Sequence, residues 1–257
     1  MKDLMARWRR VAMKPLFLMS ISVLITTLQS AQPAVAAVGD PNALLVSHVS
    51  ATPASASRVV VLLHVGDRGQ LVRSLQQRLS ALGYWTGPLD ANFGPLTQQA
   101  VFALQKAASL SVDGVVGRAT ADALARGVKP RFIATTGNEV QINLRSQLLM
   151  IVRGGRLATV LNTSTGGGYS YASGDVTSRA ITPRGVFTIF RQVNAMDISP
   201  LGMLWRPKYF TSGYAIHGSS SVPPVAVSHG CVRVSNQAMD WIWASNQMPI
   251  GTTVRIY

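Results

Sequence analysis

The feature that most limits how this chain can fold is a change of hydrophobic period near Glu139. Upstream, "GDRGQLVRSLQQRLSALGYW" spaces Leu71, Leu75, Leu79 and Leu82 at helical intervals, which predicts one buried helical face closed by Gly83. Downstream, "VQINL", "QLLMIVR" and "RLATVLNT" are β-rich runs, with Gly154-Gly155 as a two-residue hairpin turn. "GVFTIFRQV", "GYAIHG" and "TTVRIY" continue the strand pattern. Only "SNQAMDWIWASN" reads as a helix there, with Ser235 as N-cap and Met239, Ile242 and Trp243 on one side. The expected architecture is therefore a small three-helix module over 61–128, then a mostly antiparallel β domain over 138–257 with one late helix. Between Met196 and Gly213 the residues Met203, Trp205, Tyr209 and Phe210 sit in an irregular stretch that reads as a flap.

The helical half carries an internal echo. "DANFGPLTQQA" (Asp90, Gly94, Thr97, Ala100) is matched by "DGVVGRATADA" (Asp113, Gly117, Thr120, Ala123). Each copy places a tight Asp/Gly turn before a helix, and each threonine is expected to satisfy a free backbone N–H at the helix start.

Residues 1–37 read as a signal peptide. Lys2, Arg7, Arg9, Arg10 and Lys14 form a basic leader, Leu16 to Leu28 an apolar stretch, and "QPAVAA" a small-residue cleavage site. "RRVAMK" is compatible with twin-arginine as well as general export. Residues 38–60, rich in Ala, Ser, Val and Pro, read as a linker. The chain has 24 basic and 10 acidic residues, a net charge of +14. Removing the first 36 residues takes away five cations and one acid, which leaves 19 against 9, or +10. On an exported chain such scattered charge favours a polyanionic envelope over nucleic acid, and membrane contact is expected only through the leader.

An exported chain with a single cysteine cannot form an intrachain disulfide, so the thiol in "SHGCVR" (Ser228 to Arg233) is idle, a metal ligand or reactive. Cysteine nucleophiles need a base within reach and a third group that holds the base in one tautomer. Of the four histidines, His48 falls in the linker and His64 at the edge of the helical module, whereas His217 and His229 flank Cys231. His217 ends the strand "GYAIH", and Gly218 and Gly230 let the backbone approach a substrate. Consecutive amides of "HGC" can converge on one developing oxyanion. His217, His229 and Cys231 are also zinc-ligand types, but such a site lacks a neighbouring carboxylate base and a familiar metal spacing.

Two resemblances follow from these motifs. Residues 64–124, with "LQQRLSALGY", "DANFGPLTQQAV" and "DGVVGRAT", resemble the peptidoglycan-binding domain type 1 family, with Leu104 where that family usually has Phe. Residues 138–257, with "ITPRGVFTI", "AIHG" and "SHGCVRV", resemble the L,D-transpeptidase catalytic domain of the YkuD type, which implies a β-sandwich and no cofactor. The resemblance implies Cys231 as nucleophile, His217 as general base, the Gly218 carbonyl as its orienter, and amides of His229, Gly230 and Cys231 as an oxyanion hole. It implies that Arg233 serves an acidic peptide stem or the integrity of the loop; Ser228 is a further candidate for substrate contact, and Trp205 and Tyr214 are candidates for the donor groove. Arg184 and Arg206 read as solvated surface charges. The implied partners are peptidoglycan tetrapeptide stems as donor and acceptor, with carbapenems as covalent inhibitors of the thiol. The "HG" to "HGC" interval here is shorter than in many members, with Pro223-Pro224 inside it. Water as acceptor would make the protein an L,D-carboxypeptidase, a lipoprotein amine an anchoring enzyme, and a degenerate site a non-catalytic wall binder.

Overall fold

The computed structural model describes residues 62–173 and 175–257. The predicted signal peptide and linker lie outside the described residues. Among the described residues three helices come first: α1 (Gln70–Ala81), α2 (Pro95–Ala107) and α3 (Arg118–Ala125). In α1 the buried residues are Val72, Leu75, Gln76 and Leu79, while Leu71 is exposed. The expectation that Leu71 shares the buried face is thus corrected. Val72 stands three before Leu75 and seven before Leu79, one step better aligned with the i, i+3, i+7 stripe.

Gln76 explains the internal echo. Its Nε2 donates to Asp90 Oδ1 (2.9 Å), Asn92 O (3.0 Å) and Thr97 Oγ1 (3.0 Å), while its Oε1 accepts from Ala91 N (3.0 Å). In the second copy Gln105 donates to Asp113 Oδ1 (2.6 Å), Val115 O (3.0 Å) and Thr120 Oγ1 (3.1 Å), and accepts from Gly114 N (2.9 Å). Both helices are capped by glycine, Gly94 and Gly117, with no side-chain cap bond. The threonine hydroxyls donate to the turn carbonyls of Asn92 and Val115 instead of satisfying helix amides, which corrects the capping expectation. Because a buried amide group has four hydrogen-bonding sites to fill, each glutamine pins one turn against one helix. Gln76→Leu leaves that set of turn groups without their partner. It is expected to cost about 2–3 kcal/mol, read as a lowered urea midpoint with unchanged slope.

The second half is a sandwich. One sheet has the order β3 (Arg156–Asn162), β2 (Leu148–Arg153), β1 (Glu139–Asn143), β12 (Thr253–Ile256), β6 (Gly185–Thr188). The other runs β11 (Val232–Ser235), β10 (Tyr214–Ser219), β9 (Gly202–Thr211), β7 (Arg191–Gln192), with β8 (Met196–Ser199) also on β9. A separate hairpin pairs β4 (Ser170–Ser173) with β5 (Val176–Arg179). The stretch read as an irregular flap is therefore a regular β8–β9 hairpin, whose exposed Ile198 and Met203 obscure any alternation toward a core. Most pairings are antiparallel, but β1–β12 and β10–β11 are parallel. Helix α4 (Asn236–Ala244) starts at Ser235, whose hydroxyl accepts from Ala238 N at 3.2 Å. Its Ala238, Met239 and Ile242 close the core between the sheets together with Val140, Ile142, Leu149, Ile151, Val254 and Ile256.

The two units share a second core. Leu148, Met150 and Val160, on the opposite face of the first sheet, pack with Leu79, Tyr84, Val101 and Leu104 of the helical unit. This is why β2 is buried along Leu148–Val152 on both faces rather than alternating. Residues 83–85 add to the edge of β3: Trp85 N donates to Val160 O (3.0 Å) and Val160 N to Gly83 O (2.8 Å). Lys106 on α2 donates to Gln147 O (3.0 Å), Thr163 O (3.3 Å) and Asn162 Oδ1, and burial pushes its ammonium down to about 7. Gln99 Nε2 reaches Val222 O at 3.0 Å, and Asn162 Nδ2 donates to Gln99 Oε1 at 2.6 Å.

Candidate active site

The parallel pairing of β10 with β11 builds the site, because its register sets His217 opposite Arg233 and Gly218 opposite Val234. The turn that precedes β11 holds Ser228 to Cys231. A cavity of about 700 Å³ collects His217, Ser228, His229, Cys231 and Arg233 with Tyr214. Its far wall is the β8–β9 hairpin, including Leu201, Met203 and Tyr209, together with Phe190 and Arg191.

His217 is 3 % exposed, and its Nδ1 lies 2.8 Å from Gly218 O. A carbonyl only accepts, so Nδ1 carries the proton and Nε2 is the free acceptor. Burial pushes this imidazole down to about 4, further helped by the Arg233 charge and opposed by the Gly218 bond. Burial also pushes the Cys231 thiol up, opposed by the Ala215 backbone and the Arg233 charge. The thiol donates weakly to Gly213 O at 3.8 Å. At neutral pH the resting pair is therefore thiol and neutral imidazole, not an ion pair.

The turn around Cys231 is over-determined. Ser228 Oγ donates to Cys231 O (2.5 Å) and accepts from Gly230 N (3.0 Å), while Thr182 Oγ1 donates to Gly230 O (2.6 Å). Ser228 N and O pair with Thr165 O (2.9 Å) and Gly167 N (3.0 Å). Gly230 has φ 142°, and a Cβ there would come within 2.5 Å of the Tyr214 ring. Gly218 is crowded as well: a Cβ would meet Asn236 Oδ1 and Trp205 Cδ1, each at 2.7 Å.

Several sequence expectations change here. Ser228 lines the cavity but is 1 % exposed, and its hydroxyl is engaged on the turn, so its side chain supports the loop. The Gly230 amide is taken by Ser228, which leaves the His229 and Cys231 amides as the oxyanion candidates. Trp205 does not line the cavity; its Nε1 donates to Asp240 Oδ1 at 2.7 Å, and its ring backs the strand at Gly218. Arg206 is no solvated charge, since it pairs with Asp240 at 2.8 Å and lies over the Trp243 ring. The His229 ring packs edge-on against Tyr169 and Tyr171, with centroids 5.6 and 4.6 Å away. Arg233 reaches the cavity and, among the described residues, has no acidic partner within 4 Å.

Sequence reasoning missed Thr182, Tyr171 and Arg191. Thr182 stood in the quoted "ITPRG", but only the fold shows its hydroxyl bridging Gly230 O and Gly166 N. Arg191 sits 4.5 Å over the Tyr209 ring and pairs with Asp197, which also accepts from Tyr209 OH at 2.8 Å. No local pattern joins residues on three separate strands.

A peptidoglycan binding domain model matches residues 68–124, and an L,D-transpeptidase catalytic domain model matches 137–256. Among curated proteins, the N-acetylmuramoyl-L-alanine amidase CwlL of Bacillus licheniformis is 35 % identical over 105 residues, 40 % of this chain. The chain spans 29 % of that relative's length. Among solved structures, an L,D-transpeptidase (residues 123–326) from Xylanimonas cellulosilytica superposes with a TM-score of 0.74 at 49 % identity. That match covers 76 % of this chain and 97 % of the solved one, and on that likeness the chain belongs to the L,D-transpeptidase family.

Proposed function

We propose that this protein is an exported cysteine acyltransferase that acts on peptidoglycan tetrapeptide stems and cross-links them through their third residues. The observation that carries the reading is the shared cavity: the lone cysteine, a buried imidazole whose Nε2 has no hydrogen-bond partner among the described residues, and an arginine with no acidic partner among them line one space. The thiol proton passes to His217 Nε2 as Cys231 Sγ attacks the carbonyl that links the third, diamino residue to the terminal D-alanine. Amides of the His229–Cys231 turn hold the oxyanion. His217 then returns the proton to the departing D-alanine amine, leaving a thioester. An amine of a neighbouring stem attacks it, gives its proton to His217, and the thiol is restored as the new amide forms. Arg233 receives a stem carboxylate. The helical module docks wall peptide stems, and export follows from the leader expected at residues 1–37.

Incubation with a tetrapeptide stem, with and without an amine acceptor, tests this by mass spectrometry. Release of D-alanine and a dimer containing the acceptor are expected. Release without dimer would assign L,D-carboxypeptidase activity, and absence of both release and any thioester adduct would sink the enzyme reading. A carbapenem is expected to acylate Cys231 stoichiometrically.

The pH dependence follows from the site. His217 must be neutral to act as base, so the acid limb of kcat/KM is expected with an inflection near 4 rather than near the usual imidazole value of about 6.5. The same shift affects stability. Between about pH 6.5 and 4 the unfolded chain binds a proton that the folded chain refuses, so stability falls as pH drops through that window. The loss amounts to about 3 kcal/mol once pH is below both values, and His217→Gln should remove it from a plot of stability against pH.

A further inference from the structure

We propose that the cleft between the helical module and the sandwich is a second binding site, which holds a carboxylate-bearing peptide stem apart from the pocket over Cys231. This rests on the reading that wall stems are the substrate. The cleft has a volume of about 1010 Å³, and it shares no lining residue with the Cys231 cavity. Its walls come from both units: the end of α2, the segment after α3, the β1–β2 turn and Pro224–Ala226.

The charge is one-sided. Lys129, Arg131 and Arg145 are exposed on its rim, Lys106 lies at its floor, and no aspartate or glutamate lines it. Among the described residues none of these cations has an acidic partner within 4 Å. The Lys106 donors are spent on protein oxygens, so that residue contributes rigidity while the three rim cations contribute charge and donors. A smaller recess of about 480 Å³ continues the cleft through Leu144, Gln147 and Ala226 and ends beside Arg184, again without an acid.

The remaining lining decides the occupant. Leu110, Val112, Pro130, Leu144 and the exposed Val225 put apolar surface between the cations. A short peptide with alanine methyls and free carboxylates satisfies both kinds of surface, whereas a polyol phosphate chain has no apolar side chains to bury. The cleft also reaches the reactive turn through the backbone. Val225 O accepts from Ser164 Oγ at 2.7 Å, and Ser164 pairs with Arg233 in a two-way bridge at 3.2 and 3.0 Å. A stem seated there lies one loop away from Cys231.

The test uses the full-length Cys231→Ala protein, which binds without turnover, titrated calorimetrically with soluble disaccharide tetrapeptide. Two classes of site are expected, the stems at the Cys231 pocket and one stem in the cleft, where the docking by the helical module falls. With Lys129→Gln, Arg131→Gln and Arg145→Gln added, one site should weaken at least tenfold at low salt and the salt dependence should flatten. In the Cys231-containing background the triple variant should keep its rate of thiol alkylation. Two unchanged classes of site in the triple variant would overturn the proposal. So would equal binding of a stem whose carboxylates are all amidated, or displacement by poly(glycerol phosphate) with no binding of the stem. If wild-type protein releases no D-alanine yet two-site binding is lost on triple substitution, the activity reading fails and the cleft stands. If release proceeds and the triple variant still shows both classes of site, only the cleft fails.

Discussion

Cys231→Ala is expected to lower D-alanine release by about 10⁴-fold or more while wall binding and folding persist. The size of the loss follows from the chemistry, because no other thiol exists in the chain to form the thioester. Water attack directed by His217 alone would retain only binding and oxyanion stabilisation. Folding should change by less than about 1 kcal/mol, since the thiol is half-buried and makes only a long bond to Gly213 O. The comparison of turnover with sedimentation on purified wall separates the two effects. Activity that survives the substitution would refute the mechanism. A companion measurement reads the resting state: because burial holds the thiol up and His217 stays neutral, iodoacetamide should alkylate Cys231 slowly at pH 7. The rate should climb only above the ordinary thiol range of about 8.5.

Gly230→Ala should damage both stability and turnover, by about 2–4 kcal/mol and at least about 10²-fold. At φ 142° an L-residue is already strained, and the new methyl would collide with Tyr214 Cε1 at 2.5 Å and Ile181 O at 2.9 Å. One of those atoms is backbone, so the loop has to move. The movement breaks the Ser228 and Thr182 bonds that aim the Cys231 amide. Gly66→Ala supplies the control. Its φ of 103° is also positive but no atom lies within 4 Å, so it should cost only about 1 kcal/mol and leave kcat unchanged. Thermal unfolding alongside kcat tells the two glycines apart; equal effects would mean that strain alone, not the collision, governs the loop.

Local patterns made much of this protein legible. The 3.6 and 2 residue periods located the helices and most strands, Gly154-Gly155 marked a hairpin, and both glycines have the positive φ that such a turn needs. The Thr97 and Thr120 error shows the limit. The repeat was visible, but the partner of each threonine is a glutamine one helix earlier, 21 and 15 residues away. Trp205 shows another: an aromatic near a candidate cleft reads alike whether it faces the cleft or, as here, backs it through Asp240.

The sequence by itself determined the two kinds of secondary structure and the paired turns of the helical unit, and it singled out Cys231 and His217 as candidates, because periodicity and motif spacing are properties of neighbouring residues. Only the tertiary structure decided that β2 is buried on both faces, one in the core between the sheets and the other in the core shared with the helical unit. It also decided that β10 and β11 run parallel with His217 beside Arg233, and that Cys231 and His217 rest uncharged. Those outcomes depend on which distant surfaces exclude water, and desolvation is a property of the packed molecule that no short stretch of chain contains.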